Sequence, residues 1–68
     1  MLKADEAKIE WSADKKRWHV VIHVGGEVIK RWMDKGQETG DEALRSLAIQ
    51  TAKDEGYELD PARVSVVK

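Results

Sequence analysis

Two turns that agree with each other constrain this 68-residue chain more than any other feature. Arg17 to Val24 is dense in β-branched and aromatic residues, and Gly25-Gly26 closes it into a hairpin with a strand over residues 27–34. On the other side, Ala13-Asp14-Lys15-Lys16 turns back to a short alternating run over residues 8–12. Cross-strand partners in an antiparallel sheet point to the same face. Pairing Val24 with Glu27 sets Ile22 opposite Ile29 and Trp18 opposite Met33. Pairing Ser12 with Arg17 independently sets Trp11 opposite Trp18 and Ile9 opposite Val20. Both hairpins therefore gather Ile9, Trp11, Trp18, Val20, Ile22, Val24, Ile29 and Met33 on one face, with Arg31 as its misfit. A slip of one residue in either turn would exchange the faces, so their agreement identifies the core side.

A polar loop follows the meander. Thr39 precedes Glu42 by three residues, a capping-box spacing, and Gly56 follows Glu55 where a left-handed C-terminal cap belongs; together they predict a helix over residues 40–55. Leu44, Leu47, Ala48, Thr51 and Ala52 recur at helical spacing and form a stripe narrow enough to lie flat on a sheet. Ile49 falls outside that stripe and is expected to pack against Tyr57 or Leu59. Residues 63–67 read as a last short strand, and the preceding Pro61 suits a sheet edge because proline donates no ladder hydrogen bond. The predicted fold is α+β with the order β-β-β-α-β: a three-stranded antiparallel meander, one helix packed on one face, and a short C-terminal strand parallel to the third. Whether that strand lies beside the first or the third is open at this point. A single domain spans residues 1–68, with residues 1–6 expected to be flexible.

A chain this short buries only about 60% of its unfolded surface, so the core is small. It has no cysteine, and neither disulfides nor thiolate metal sites supplement that core. No run approaches the roughly 18 apolar residues of a membrane span, and the N-terminus lacks the apolar stretch of a signal peptide. A cytoplasmic location without membrane contact is the expectation. The net charge of −1 conceals an uneven distribution: residues 15–35 hold six lysines and arginines against two acidic residues, and residues 36–60 hold two against seven. Such asymmetry steers charged partners toward one side.

His19 and His23 share a sheet face, but four residues of strand span roughly 13 Å, too far for two imidazoles to share one zinc. They read as ordinary sheet-face histidines, and no metal or cofactor is expected. Catalysis is not expected either: there is no cysteine nucleophile, nucleophile elbow, P-loop or dinucleotide fingerprint. Asp41, Glu42, Asp54 and Glu55 fall at the helix ends, where the first pair complements the helix dipole. The open sheet face stands out instead. Arg17, His19, Val21, His23, Val28, Lys30 and Trp32 all project there, an unusually apolar and aromatic set for a solvent face. Contiguous apolar area of that kind marks protein contact or self-association. An aromatic among cations also serves nucleic acid, with Trp32 stacking on a base and Lys15, Lys16, Arg17 and Lys30 meeting phosphates. A lone Trp over a lysine stem, among valines favoured by strand propensity, is the plain structural alternative.

The stretch Arg17 to Ala52, with Val24-Gly25-Gly26-Glu27 as hairpin and Thr39-Gly40-Asp41-Glu42-Ala43-Leu44 opening a helix, resembles the strand-strand-helix half of double-stranded RNA-binding domains. It carries Asp41-Glu42 where those domains carry a lysine cluster. The meander is also similar to the three-stranded DNA-reading domains of some phage integrases and, with its helix start, to antitoxins of the HicB type. Each covers about half of the chain, and as a fold analogy does not fix function. The sequence reading is a non-enzymatic binding module that uses the open face for a protein partner or a second copy of itself, as in a homodimer; its alternative is nucleic-acid binding through the basic hairpin and Trp32.

Overall fold

The computed structural model describes residues 2–67. Short strand β1 (Leu2–Lys3) is followed by the meander β2 (Glu6–Ser12), β3 (Arg17–Val24) and β4 (Glu27–Met33). Helix α1 (Asp41–Asp54), short strand β5 (Tyr57–Glu58), a 3-10 turn (Pro61–Arg63) and β6 (Val64–Val67) complete it. The four long strands form one mixed sheet in the order β4-β3-β2-β6. Both hairpin registers are as the turns dictate, with Ser12 opposite Arg17, Trp11 opposite Trp18, Ile22 opposite Ile29 and Val24 opposite Glu27. The open question about the last strand is answered by β6, which pairs in parallel with β2, Ala7 opposite Val64 and Ile9 opposite Val66.

The core lies on the sheet face that strand parity assigns to it. Ala7, Ile9, Trp18, Val20 and Ile22 from the sheet pack with Leu44, Ala48, Thr51 and Ala52 from the helix, and Ala4, Leu59 and Val64 close the ends. Thr51 is the buried polar member, and its hydroxyl donates to the Leu47 carbonyl at 2.7 Å, so no polar group is left unpaired there. Ile49 and Tyr57 pack against the edge of this core, as the off-stripe position of Ile49 suggests.

Arg31 lies on the core face but stays exposed because the helix sits over β6, β2 and β3 rather than over edge strand β4. Its guanidinium turns outward to pair with the Glu55 carboxylate just past the helix end, and Nη1 donates to the Lys30 carbonyl at 2.8 Å. That carbonyl faces away from β3 in this register, so the charge also guards a sheet edge that would otherwise offer a pairing template.

Three local expectations are corrected. Leu2 to Glu6, read from sequence as flexible, are hydrogen-bonded: β1 pairs in parallel with β5, the Ala4 N–H donates to the Glu58 carbonyl at 2.8 Å, and the Asp5 N–H donates to the His23 carbonyl at 2.8 Å. Met1 lies outside the described residues. The helix N-cap is Gly40, with no side-chain cap, because the Thr39 hydroxyl donates instead to the Gly36 carbonyl at 2.7 Å within the preceding loop. The strands also differ from the reading by a residue or two: β2 begins at Glu6, β4 ends at Met33, and Arg63 belongs to the 3-10 turn before β6. The C-terminal cap is as expected, with Gly56 at φ +89°.

The hairpin turn gives a sharp test. Gly25 has φ +57°, whereas Gly26 lies outside the left-handed region, as in a turn that needs positive φ only at its first central position. The Gly25 N–H also donates to Asp5 Oδ2 at 2.8 Å. Neither glycine has an atom within 4 Å of where a Cβ would stand, so backbone conformation alone separates them. Gly25→Ala is expected to cost about 1 kcal/mol, and Gly26→Ala to leave stability within about 0.5 kcal/mol of the parent, in urea denaturation. Equal effects would refute this turn geometry.

Candidate functional site

The helix covers one side of the sheet, so the other side is a continuous surface whose side chains follow from the register. Reading across β4, β3, β2 and β6, one row is Lys30, Val21, Lys8 and Ser65, and the next is Trp32, His19, Glu10 and Val67. Val28, His23 and Glu6 form the row toward the Gly25-Gly26 turn. Arg17 and Ser12 lie toward the opposite end. Every residue proposed for the open face from sequence is therefore on it. Val28, Trp32 and Val67 are the large apolar residues most open to solvent here, at 48%, 40% and 41% exposure. His19, Val21 and His23, on inner strand β3, are half-buried between their neighbours.

Trp32 is the centre of a small cluster. The His19 imidazole stacks on its indole with centroids 4.3 Å apart and planes inclined by 19°. The Lys15 ammonium lies 4.6 Å from the centroid of the same ring. At an exposed site such a cation contributes about 0.5–1 kcal/mol. The plain alternative raised by the sequence, a lysine against the indole, is thus part of the answer, with a turn residue as that lysine.

The charges of this face are largely matched within the chain. Arg17 pairs with Asp34 at 2.8 Å, and Lys8 pairs with Glu10 at 3.1 Å. These pairs are exposed, so each adds little stability, but they cancel the local field that a polyanion would use. Of the cations assigned to nucleic acid, Arg17 is held by a carboxylate and Lys15 by the Trp32 ring, while Lys16 and Lys30 remain exposed. The basic segment of the sequence is therefore not a basic patch of equal strength.

Six members of the face, Glu6, Lys8, Glu10, Ser12, Ser65 and Val67, were not singled out from sequence. Glu10 and Lys8 were read only as the polar side of a strand. Val67 needed the position of β6, which no local signal supplied. The parity of Lys8 and Glu10 and their β3 neighbours were legible, but their β6 neighbours Ser65 and Val67 were not.

Away from this face, an open cleft of about 460 Å³ lies where β1 and β5 meet the 3-10 turn, lined by Lys3, Asp5, Glu58, Asp60 and Arg63 among others. Among the described residues no group of three or more His, Cys, Asp or Glu side chains is arranged to hold a metal ion, and no helix is long and apolar enough to cross a membrane. Comparison with protein-family models, curated proteins and solved structures finds no match for this chain.

Proposed function

We propose that this chain is a non-enzymatic binding module that contacts protein through its open sheet face. The observation that carries this reading is the composition of the uncovered face: Trp32, Val28 and Val67 are exposed beside cations already paired with Asp34 and Glu10. An apolar surface with internally balanced charge is suited to a protein interface, whose centre is depleted in net charge and enriched in aromatics. Nucleic acid is the competing ligand. It needs unpaired cations beside the ring, and here Arg17 is paired with Asp34 and the Lys15 ammonium lies over Trp32.

Two measurements test the proposal. In the first, the labelled chain is titrated with mixed-sequence single- and double-stranded oligonucleotides at low and then moderate salt, and amide shifts are followed by NMR. No salt-sensitive shift is expected. Shifts clustered at Lys15, Lys16, Arg17, Lys30 and Trp32 that weaken as salt rises would assign the face to nucleic acid instead, because counterion release makes such binding steeply salt-dependent. In the second, a photoreactive residue replaces Lys30 on the open face or Arg45 on the exposed side of the helix, in cells that make the protein. Protein adducts are expected from position 30 alone, and Trp32→Ala should remove them. Equal adducts from both positions, or none from position 30, would overturn the proposal.

A further inference from the structure

We infer that the partner of the open face is a second copy of this chain, placed face to face about a two-fold axis that runs parallel to the strands between β2 and β3. This rests on the reading of that face as a protein-contact surface. The rows of this face are complementary to themselves when reversed.

Such an axis keeps each row at its own level and reverses it, so β3 meets β2 of the other copy and β4 meets β6. In the row Trp32, His19, Glu10 and Val67, this sets Trp32 on Val67 and His19 on Glu10, each twice. In the row Lys30, Val21, Lys8 and Ser65, Val21 meets the apolar stem of Lys8 and Lys30 meets Ser65. Toward the glycine turn, His23 meets Glu6. No position meets its own kind of charge. The other in-plane two-fold, across the strands, performs worse. Centred on the lysine row it sets Lys30 and Lys8 on themselves, and centred on the tryptophan row it sets Glu10 on itself, contacts between like charges that disfavour association. Centred between the two rows it sets Glu10 on Lys8 but Trp32 on Lys30 and Val67 on Ser65, so neither exposed apolar residue meets an apolar partner.

Sheet twist leaves the arrangement feasible. Aligned sheets cross at about 30°, which at edge strands about 7 Å from the axis displaces facing side chains by about 4 Å, within the span of an indole. Four strands at about 4.8 Å spacing and seven residues at about 3.3 Å give a face of roughly 440 Å². Two such faces bury less than the roughly 1,200 Å² of a stable interface, so the dimer is weak and forms at high protein concentration.

Sedimentation from low micromolar to millimolar protein is expected to show the mass rising from the 7.7 kDa monomer toward twice that value. Trp32→Lys and Val67→Glu replace exposed residues and should leave the fold intact, as checked by thermal unfolding. Each alone is expected to abolish dimerisation. Their equimolar mixture should restore it, because Lys at 32 in one copy then faces Glu at 67 in the other while the second Trp32–Val67 contact is native. In the unmodified protein, isotope-filtered NOEs should connect the Trp32 indole of one copy to the Val67 methyls of the other. A monomer at every concentration overturns the second-copy inference. If position 30 still yields Trp32-dependent protein adducts of other mass, the protein-contact reading stands without it. A dimer that persists in both variants, or one that the mixture fails to restore, overturns the arrangement.

Discussion

Trp18→Ala is expected to leave the chain largely unfolded at room temperature, the largest effect of any single truncation in this domain. Trp18 is fully buried on central strand β3. Its ring meets Trp11 edge-on at 5.3 Å, with planes inclined by 65°, and its indole N–H donates to the Gly36 carbonyl at 2.9 Å. Removing a buried tryptophan costs about 3–5 kcal/mol through lost burial and the cavity left behind. A chain of this length has a total stability of about 3–10 kcal/mol, so this loss rivals the whole. The hydrogen bond gives a second, graded variant. Trp18→Phe keeps an aromatic ring in the core but removes one donor to the Gly36 carbonyl, which still accepts from the Thr39 hydroxyl and N–H, so the lost hydrogen bond costs about 0.5–1.5 kcal/mol. It should therefore be folded yet weakened, with faster amide exchange concentrated in the loop between β4 and α1, which Trp18 tethers from beneath. Urea denaturation followed by circular dichroism ranks the three proteins. A Trp18→Ala chain with a midpoint near that of the parent would mean that the strand pairing, and not this ring, holds the two layers together.

The order of that ranking rests on a face assignment that was legible in the sequence, and the reason is physical. Hairpin registers are set by turns of two to four residues, and side chains alternate strictly along a strand, so local information propagates without loss from Val24–Glu27 to Trp18–Met33. The pairing of β6 with β2 has no such carrier. Ala7 and Val64 are 57 positions apart in sequence, and nothing in Val64 to Val67 distinguishes one edge of the meander from the other. Strands β1 and β5 are two residues each, too short to show any period. Thr39 and Glu42 matched a capping template, but the threonine hydroxyl was claimed by a nearer carbonyl, which spacing alone does not reveal. Arg31 broke the apolar pattern for a reason that depends on where the helix lies, and helix placement over a sheet is a tertiary property. The candidate site divides in the same way. Trp32, His19, Val21 and Lys30 share a face by parity, whereas the contact of Lys15 with Trp32 and the approach of Val67 depend on how the turn and the last strand are seated.

Parity also makes the sharpest test of the two-sided sheet, because Val21 and Ile22 are adjacent in sequence and similar in size. Ile22 is fully buried and lies between Ala7 and Ile29 across its neighbouring strands. Val21 lies between Lys8 and Lys30 on the open face. Ile22→Glu removes about 2–3 kcal/mol of apolar burial and forces a carboxyl into a site with no partner, at a further cost of several kcal/mol even if the group takes up a proton. The protein is expected to be unfolded at neutral pH, with collapsed amide dispersion in NMR. Val21→Glu loses strand propensity but gains a lysine on each side, and cross-strand pairs of opposite charge contribute about 0.2–1 kcal/mol each. Its stability should stay within about 1 kcal/mol of the parent, with the amide pattern preserved beyond the immediate neighbours. The two variants have the same added charge and nearly the same composition, so net charge and solubility cannot account for a difference between them. If both fold, the core does not lie where the helix covers the sheet. If neither folds, the second face is also buried in the working protein, and Val21 itself is an interface residue whose partner the unfolded chain has lost.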